Sequence, residues 1–124
     1  MSNNQSPKFL IVDDNEQVRH YLQRLLSQVF HLEADAVACP LEAIRLLHES
    51  NYCCLITDLE MPEMDGVELL QAIYESKPLL RTALLTGSED APRLESARAL
   101  GAEVLVKPID RYRLIEWIRS VLPR

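Results

Sequence analysis

Phe9-Leu10-Ile11-Val12-Asp13-Asp14-Asn15 is a run of four apolar residues that stops abruptly at two carboxylates and an amide. A run this short, apolar without alternation, reads as a strand buried on both faces, as strands of parallel sheets are. The construction recurs: Cys53-Cys54-Leu55-Ile56-Thr57 stops at Asp58, the run from Thr82 to Leu85 stops at Thr86, and Val104-Leu105-Val106 stops at Lys107-Pro108. Residues His31 to Val37 form a further strand, and Glu33 and Asp35 within it place it at a sheet edge.

Helical stripes fill the intervals. Val18, Tyr21, Leu22, Leu25, Leu26 and Val29 line the first helix, and Pro40 opens a second that turns Leu41, Ile44, Leu46 and Leu47 inward. The third starts at Gly66, with Asp65 as N-cap, Glu68 completing a capping box, and Val67, Leu70, Ile73 and Tyr74 facing the core. A fourth spans Pro92 to Leu100, and Leu114, Ile115, Ile118, Val121 and Leu122 stripe the last. Five strand-then-helix units in succession require right-handed crossovers and a parallel sheet, so the expected fold is doubly wound α/β.

The 124 residues, 48% hydrophobic, suffice for one domain with its own core. A formal charge of -6 argues against direct nucleic acid binding or an anionic membrane surface. No apolar run approaches the roughly 18 residues of a membrane span, and Met1 to Ser6 lack the features of a signal peptide, so a cytoplasmic location is expected. Cys39, Cys53 and Cys54 have no metal-ligand spacing. Cys53 and Cys54, adjacent in a strand, are expected to point to opposite faces as small core residues. Tyr112 and Trp117 are expected to pack against a neighbouring helix, and His20, His31 and His48 to lie on the surface.

Ligands of doubly wound sheets bind beyond the carboxyl ends of the strands. Those ends supply Asp13, Asp14, Asp58, Thr86 and Lys107. Two carboxylates about 4 Å apart repel by roughly 4 kcal/mol at an effective dielectric near 20, so the cluster calls for a proton or a cation. Oxygen ligands with few protein donors suit Mg²⁺, which readily shares its coordination with a phosphoryl group. Asp58, alone at the end of a central strand, is the candidate nucleophile for an acyl phosphate. Thr86 and Lys107 are placed to serve two phosphoryl oxygens, leaving the third for the metal. Singly, each residue has an ordinary reading as a cap, a turn or a solvated charge; five together on one sheet edge do not.

Asp13-Asp14, Asp58-Leu59-Glu60-Met61-Pro62-Glu63-Met64-Asp65-Gly66, Leu85-Thr86-Gly87, Gly101-Ala102 and Lys107-Pro108 together carry a resemblance. From Lys8 to Leu122 the chain resembles the receiver domain of bacterial two-component response regulators. The resemblance implies a flavodoxin-like, five-stranded parallel sheet of order 2-1-3-4-5 with five helices. It implies that Asp58 takes a phosphoryl group from a histidine kinase or phosphotransfer protein, with Mg²⁺ held by Asp13, Asp14, Asp58 and the main-chain carbonyl of Glu60. It further implies contacts from Thr86 and Lys107 to the phosphoryl group and a cis Lys107-Pro108 bond. The surface of the fourth helix, fifth strand and fifth helix then meets an output partner or a second copy of the chain.

Two positions depart from the family pattern. Val104 stands where an aromatic ring usually swings inward as the threonine moves, and Glu60 brings a carboxylate that can alter phosphoryl lifetime. Residues 1–124 are expected to form a single receiver domain with a flexible segment at 1–7, catalysing only its own phosphorylation and dephosphorylation. The competing reading is a receiver-like interaction or dimerisation module that signals without phosphate. An aspartyl-nucleophile phosphatase would need an Asp-x-Asp pair after the first strand, which Asp13-Asp14-Asn15 is not, and no phosphate-cradling glycine motif for nucleotides occurs.

Overall fold

The computed structural model describes residues 7–122, so the segment expected to be flexible lies, apart from Pro7, outside the described residues. Strands and helices alternate throughout: β1 (Phe9–Val12), α1 (Glu16–Phe30), β2 (Ala34–Val37), α2 (Pro40–Glu49), β3 (Cys54–Asp58), α3 (Gly66–Ile73), β4 (Arg81–Thr86), α4 (Ala91–Ala99), β5 (Glu103–Val106) and α5 (Arg111–Val121). All neighbouring strands pair parallel, in the order β2-β1-β3-β4-β5. The order reverses between β1 and β3, which places Asp13 and Asp58 beside the switch point.

Alternation along the strands divides the core in two. Leu10, Val12, Leu55 and Leu84 face α2, α3 and α4, where Leu47, Leu70, Ile73 and Leu94 meet them. Phe9, Ile11, Ile56 and Leu85 face α1 and α5, against Leu22, Leu26, Leu114 and Ile118. Every residue of β1 and β3 is buried, as their unbroken apolar runs demand, whereas β2, at the sheet edge, has none fully buried.

Several local expectations are corrected. β2 starts at Ala34 because His31 terminates α1 in the left-handed conformation at φ 57°, its N–H bonded to Ser27 O at 3.0 Å; the chain cannot extend until it leaves this cap. Leu41 is exposed while Ala43 takes the inward place in α2, and Tyr74 is exposed because α3 stops at Ile73 and Leu69 fills the core instead. Trp117 is buried as expected; Tyr112 is instead 82% exposed. Cys53 and Cys54 do not point to opposite faces: Cys53 sits at the bend before β3, where strand alternation does not apply, and the two sulfurs lie 3.5 Å apart.

Candidate functional site

Asp13 and Asp58 reach the same edge because β1 and β3 are hydrogen-bonded neighbours, with Val12 level with Thr57. One carboxylate oxygen from each of Asp13, Asp14 and Asp58 lies within 4.8 Å of the others. Asp13 is 1% exposed; its Oδ1 accepts from the Asn15 N–H at 2.8 Å, while its buried Oδ2 has no hydrogen-bond partner. Burial raises the Asp13 pKa, the Asn15 hydrogen bond opposes this, and the neighbouring charge of Asp58 raises it further. A lone buried carboxylate oxygen beside two more carboxylates, all hard donors, fits a divalent cation such as Mg²⁺. Arg19 donates to the main-chain carbonyl of Asp13 at 2.7 Å, a contact that sequence reasoning missed. Its position on α1, one turn inside the helix, was the available signal.

Asp58 ends β3 at 4% exposure. Lys107 Nζ donates to its Oδ1 at 2.8 Å. Partial burial pulls the Lys107 pKa down, but the hydrogen bond and charge of Asp58, with Asp13 and Glu60 behind it, outweigh this and raise it, so the ammonium stays charged. Lys107 is carried here by the end of β5, where its N–H bonds Thr86 O at 2.7 Å and its bond to Pro108 is cis, as the resemblance implied. Thr86 is fully buried at the end of β4; its Oγ1 accepts from the Ser88 N–H at 2.8 Å and donates toward Glu60 Oε2 at 3.5 Å. The Glu60 carboxylate thus reaches the pocket rim.

The loop after Asp58 is held tightly. A Cβ on Gly66 would lie 2.4 Å from the Asp58 carbonyl oxygen and 2.6 Å from Leu84 Cδ1, so only glycine lets α3 begin this close to the end of β3. Gly66 N–H bonds Leu59 O at 2.8 Å, and the capping box predicted for Asp65 and Glu68 is present in both directions, at 2.9 Å each. Asp65 also pairs with Arg93 of α4, a tie across 28 residues that no local motif announces. Val104 is buried with Leu84, Leu94 and Ala97, beneath α4, so the usual aromatic place is occupied by a fixed aliphatic side chain. Thus the structure brings Asp13, Asp14, Asp58, Glu60, Thr86 and Lys107 to one edge, with Val104 inside the core next to it.

Comparison with known proteins agrees with this geometry. Residues 9–119 match the model of the response regulator receiver domain. The transcriptional regulatory protein SrrA of Staphylococcus aureus is 29% identical over 119 residues, covering 96% of this chain and 49% of that protein. The chain therefore spans about half the length of the curated relatives it matches. A response regulator receiver protein from Pseudomonas putida superposes with a TM-score of 0.87 at 28% identity, over 94% of this chain and 98% of the other. The Vibrio cholerae chemotaxis protein CheY4 does so at 0.84 and 26% identity, over 95% and 100%. With the sheet order, the acidic cluster and the Asp58–Lys107 pair in hand, the family match over most of the chain settles its membership: this is a response regulator receiver domain of two-component signalling.

Proposed function

We propose that this chain is a phosphorylation-controlled signalling switch whose acceptor is Asp58. The observation that carries this reading is Asp58 Oδ1 held 2.8 Å from Lys107 Nζ, at the edge of a carboxylate cluster in which Asp13 Oδ2 has no partner. An Asp58 carboxylate oxygen attacks phosphorus, the new O–P bond forms, and the bond to the histidine nitrogen of a kinase or phosphotransfer protein breaks, the departing nitrogen keeping the electron pair and taking up a proton from solvent. Lys107 offsets charge on one phosphoryl oxygen. Thr86 turns its hydroxyl from Glu60 to another. Asp13, Asp14 and Asp58, with the main-chain carbonyl of Glu60, are the residues that hold Mg²⁺. When bound, the cation neutralises charge on the remaining phosphoryl oxygen. The chain is thereby its own catalyst in phosphorylation and dephosphorylation, and turns over no other substrate.

Phosphate brings nearly two units of negative charge to a buried edge, and the loop after Thr86 is the segment that answers. That loop leads into α4, which buries only Leu94 and Ala97. The output surface of this reading is α4, β5 and α5, where Val106 is 54% and Tyr112 82% exposed. It fits an output partner or a second copy of the chain, in a cytoplasmic setting and without direct contact to nucleic acid.

Beryllofluoride, a phosphoryl mimic, tests the reading by thermal melting. With Mg²⁺ it is expected to raise Tm beyond Mg²⁺ alone in the native chain and to add nothing in Asp58→Asn. Equal gains in both proteins would overturn Asp58 as the acceptor.

A further inference from the structure

Beside the carboxylate cluster, a cleft separates the loop after Asp58 from the loop after Thr86, and Glu60, Asp65, Ser88, Asp90 and Arg93 line it. Polar contacts follow one another along it. The Ser88 N–H donates to Thr86 Oγ1 at 2.8 Å, the Asp90 N–H to Ser88 Oγ at 3.0 Å, and the Arg93 N–H to Asp90 Oδ1 at 3.3 Å. Asp90 is the N-cap of α4, so this run joins Thr86 to the first turn of that helix. The Arg93 side chain then crosses the cleft to pair with Asp65. Asp65 is itself fixed as the N-cap of α3, its Oδ1 accepting from the Glu68 N–H at 2.9 Å, and the Gly66 N–H donates to Leu59 O at 2.8 Å. The circuit closes one residue after Leu59, where Thr86 Oγ1 donates to Glu60 Oε2 at 3.5 Å. Meanwhile α4 buries two residues, Leu94 and Ala97, fewer than any other of the five helices.

We infer that the Arg93–Asp65 pair is a clamp that holds α4 in the arrangement seen here and so opposes phosphorylation, an inference that rests on Asp58 as the acceptor. For Thr86 to serve a phosphoryl oxygen, its hydroxyl must leave Glu60, and the Ser88 N–H bonded to the same oxygen must follow or let go. Either way the run from Thr86 to the α4 N-cap is redrawn. Arg93, in the first turn of α4, is carried with it, while Asp65 stays anchored on α3 by its capping box and by Gly66. The pair therefore belongs to one state and not to the other. A contact made in only one of two states shifts the balance between them by its own worth, so removing it favours the phosphorylated state. The side chains of Arg93 and Asp65 are 41% and 20% exposed, which limits that worth to a few-fold. Arg93 acts on Asp58 only through α4, as a positioning residue.

The test is a beryllofluoride titration of the full chain at saturating Mg²⁺, read by thermal melting, together with amide hydrogen exchange in the absence of both. Arg93→Gln is expected to bind beryllofluoride roughly two- to fivefold more tightly than the native chain. Its α4 amides, among them that of Leu94 bonded to Asp90 O, are expected to exchange faster by a similar factor while α5 is unchanged. Asp65→Asn keeps a capping oxygen but loses the charge, and is expected to show the same gain in affinity; the double variant is expected to gain nothing further. Equal or weaker binding by a folded Arg93→Gln, unchanged exchange in α4, or gains that add in the double variant would each overturn the clamp alone. A native chain that melts identically with and without beryllofluoride would overturn Asp58 as the acceptor and the clamp with it.

Discussion

Asp13 shows how a residue that could merely cap a turn differs from one built for a cation. Its Oδ1 makes the turn contact with Asn15, but its Oδ2 is buried with nothing to bond, a cost of roughly 1–3 kcal/mol unless a cation is present. Asp14 is exposed and contributes charge at the mouth. Millimolar Mg²⁺ is therefore expected to raise Tm, by the equivalent of about 2.7 kcal/mol once Mg²⁺ reaches a hundredfold over its Kd, and Asp14→Asn to reduce that gain severalfold in a melting titration. Glu60 acts in the opposite sense. Its carboxylate accepts from the Thr86 hydroxyl at 3.5 Å and so places a negative charge beside the proposed phosphoryl site. Glu60→Gln is expected to slow loss of phosphate from Asp58 by roughly two- to fivefold, the effect of one partly screened like charge. Single-turnover dephosphorylation reads this directly, and an unchanged rate removes Glu60 as a lifetime determinant.

At the scale of elements, the loop after Asp58 and α3 depend on Gly66, where the backbone of Asp58 leaves no room for a side chain. Gly66→Ala is expected to cost about 1–3 kcal/mol in urea unfolding, because the overpacked contact is backbone and cannot rotate away. Val104 sets a different expectation. With an aliphatic side chain fixed beneath α4, phosphorylation is expected to shift the loop after Thr86 and α4 without an aromatic swing, and crystal structures with and without beryllofluoride check it; an unmoved loop in both would contradict it. The strands and the α3 cap were legible because each rests on a local pattern: buried runs ending in polar residues, and an Asp-x-x-Glu spacing. Apart from Tyr21, expected on the inward stripe but 38% exposed in the middle of α1, the misread positions lie at element ends. Tyr74 continues a stripe past the last turn of α3, Leu41 faces outward in the first turn of α2 between the buried Pro40 and Ala43, and Cys53 precedes the strand whose alternation was applied to it. The Asp65–Arg93 pair and the Glu60–Thr86 contact join segments far apart in sequence, so no local spacing encodes them.

Across the whole molecule, the sheet order carries the argument. Placing β1 and β3 side by side with β4 and β5 beyond them brings three carboxylates, a hydroxyl and an ammonium to one edge. The acidic excess of the chain is thus concentrated in part in one carboxylate cluster, and the proposed phosphoryl group would act on the charge balance of that edge rather than on a dispersed surface. Incubation with acetyl phosphate and Mg²⁺, read by intact mass, tests this account most directly. One added phosphoryl group is expected in the native chain, lost on chelation of Mg²⁺ and absent from Asp58→Asn. A native chain that stays unmodified under these conditions, or a folded Asp58→Asn that gains the same mass, would contradict it.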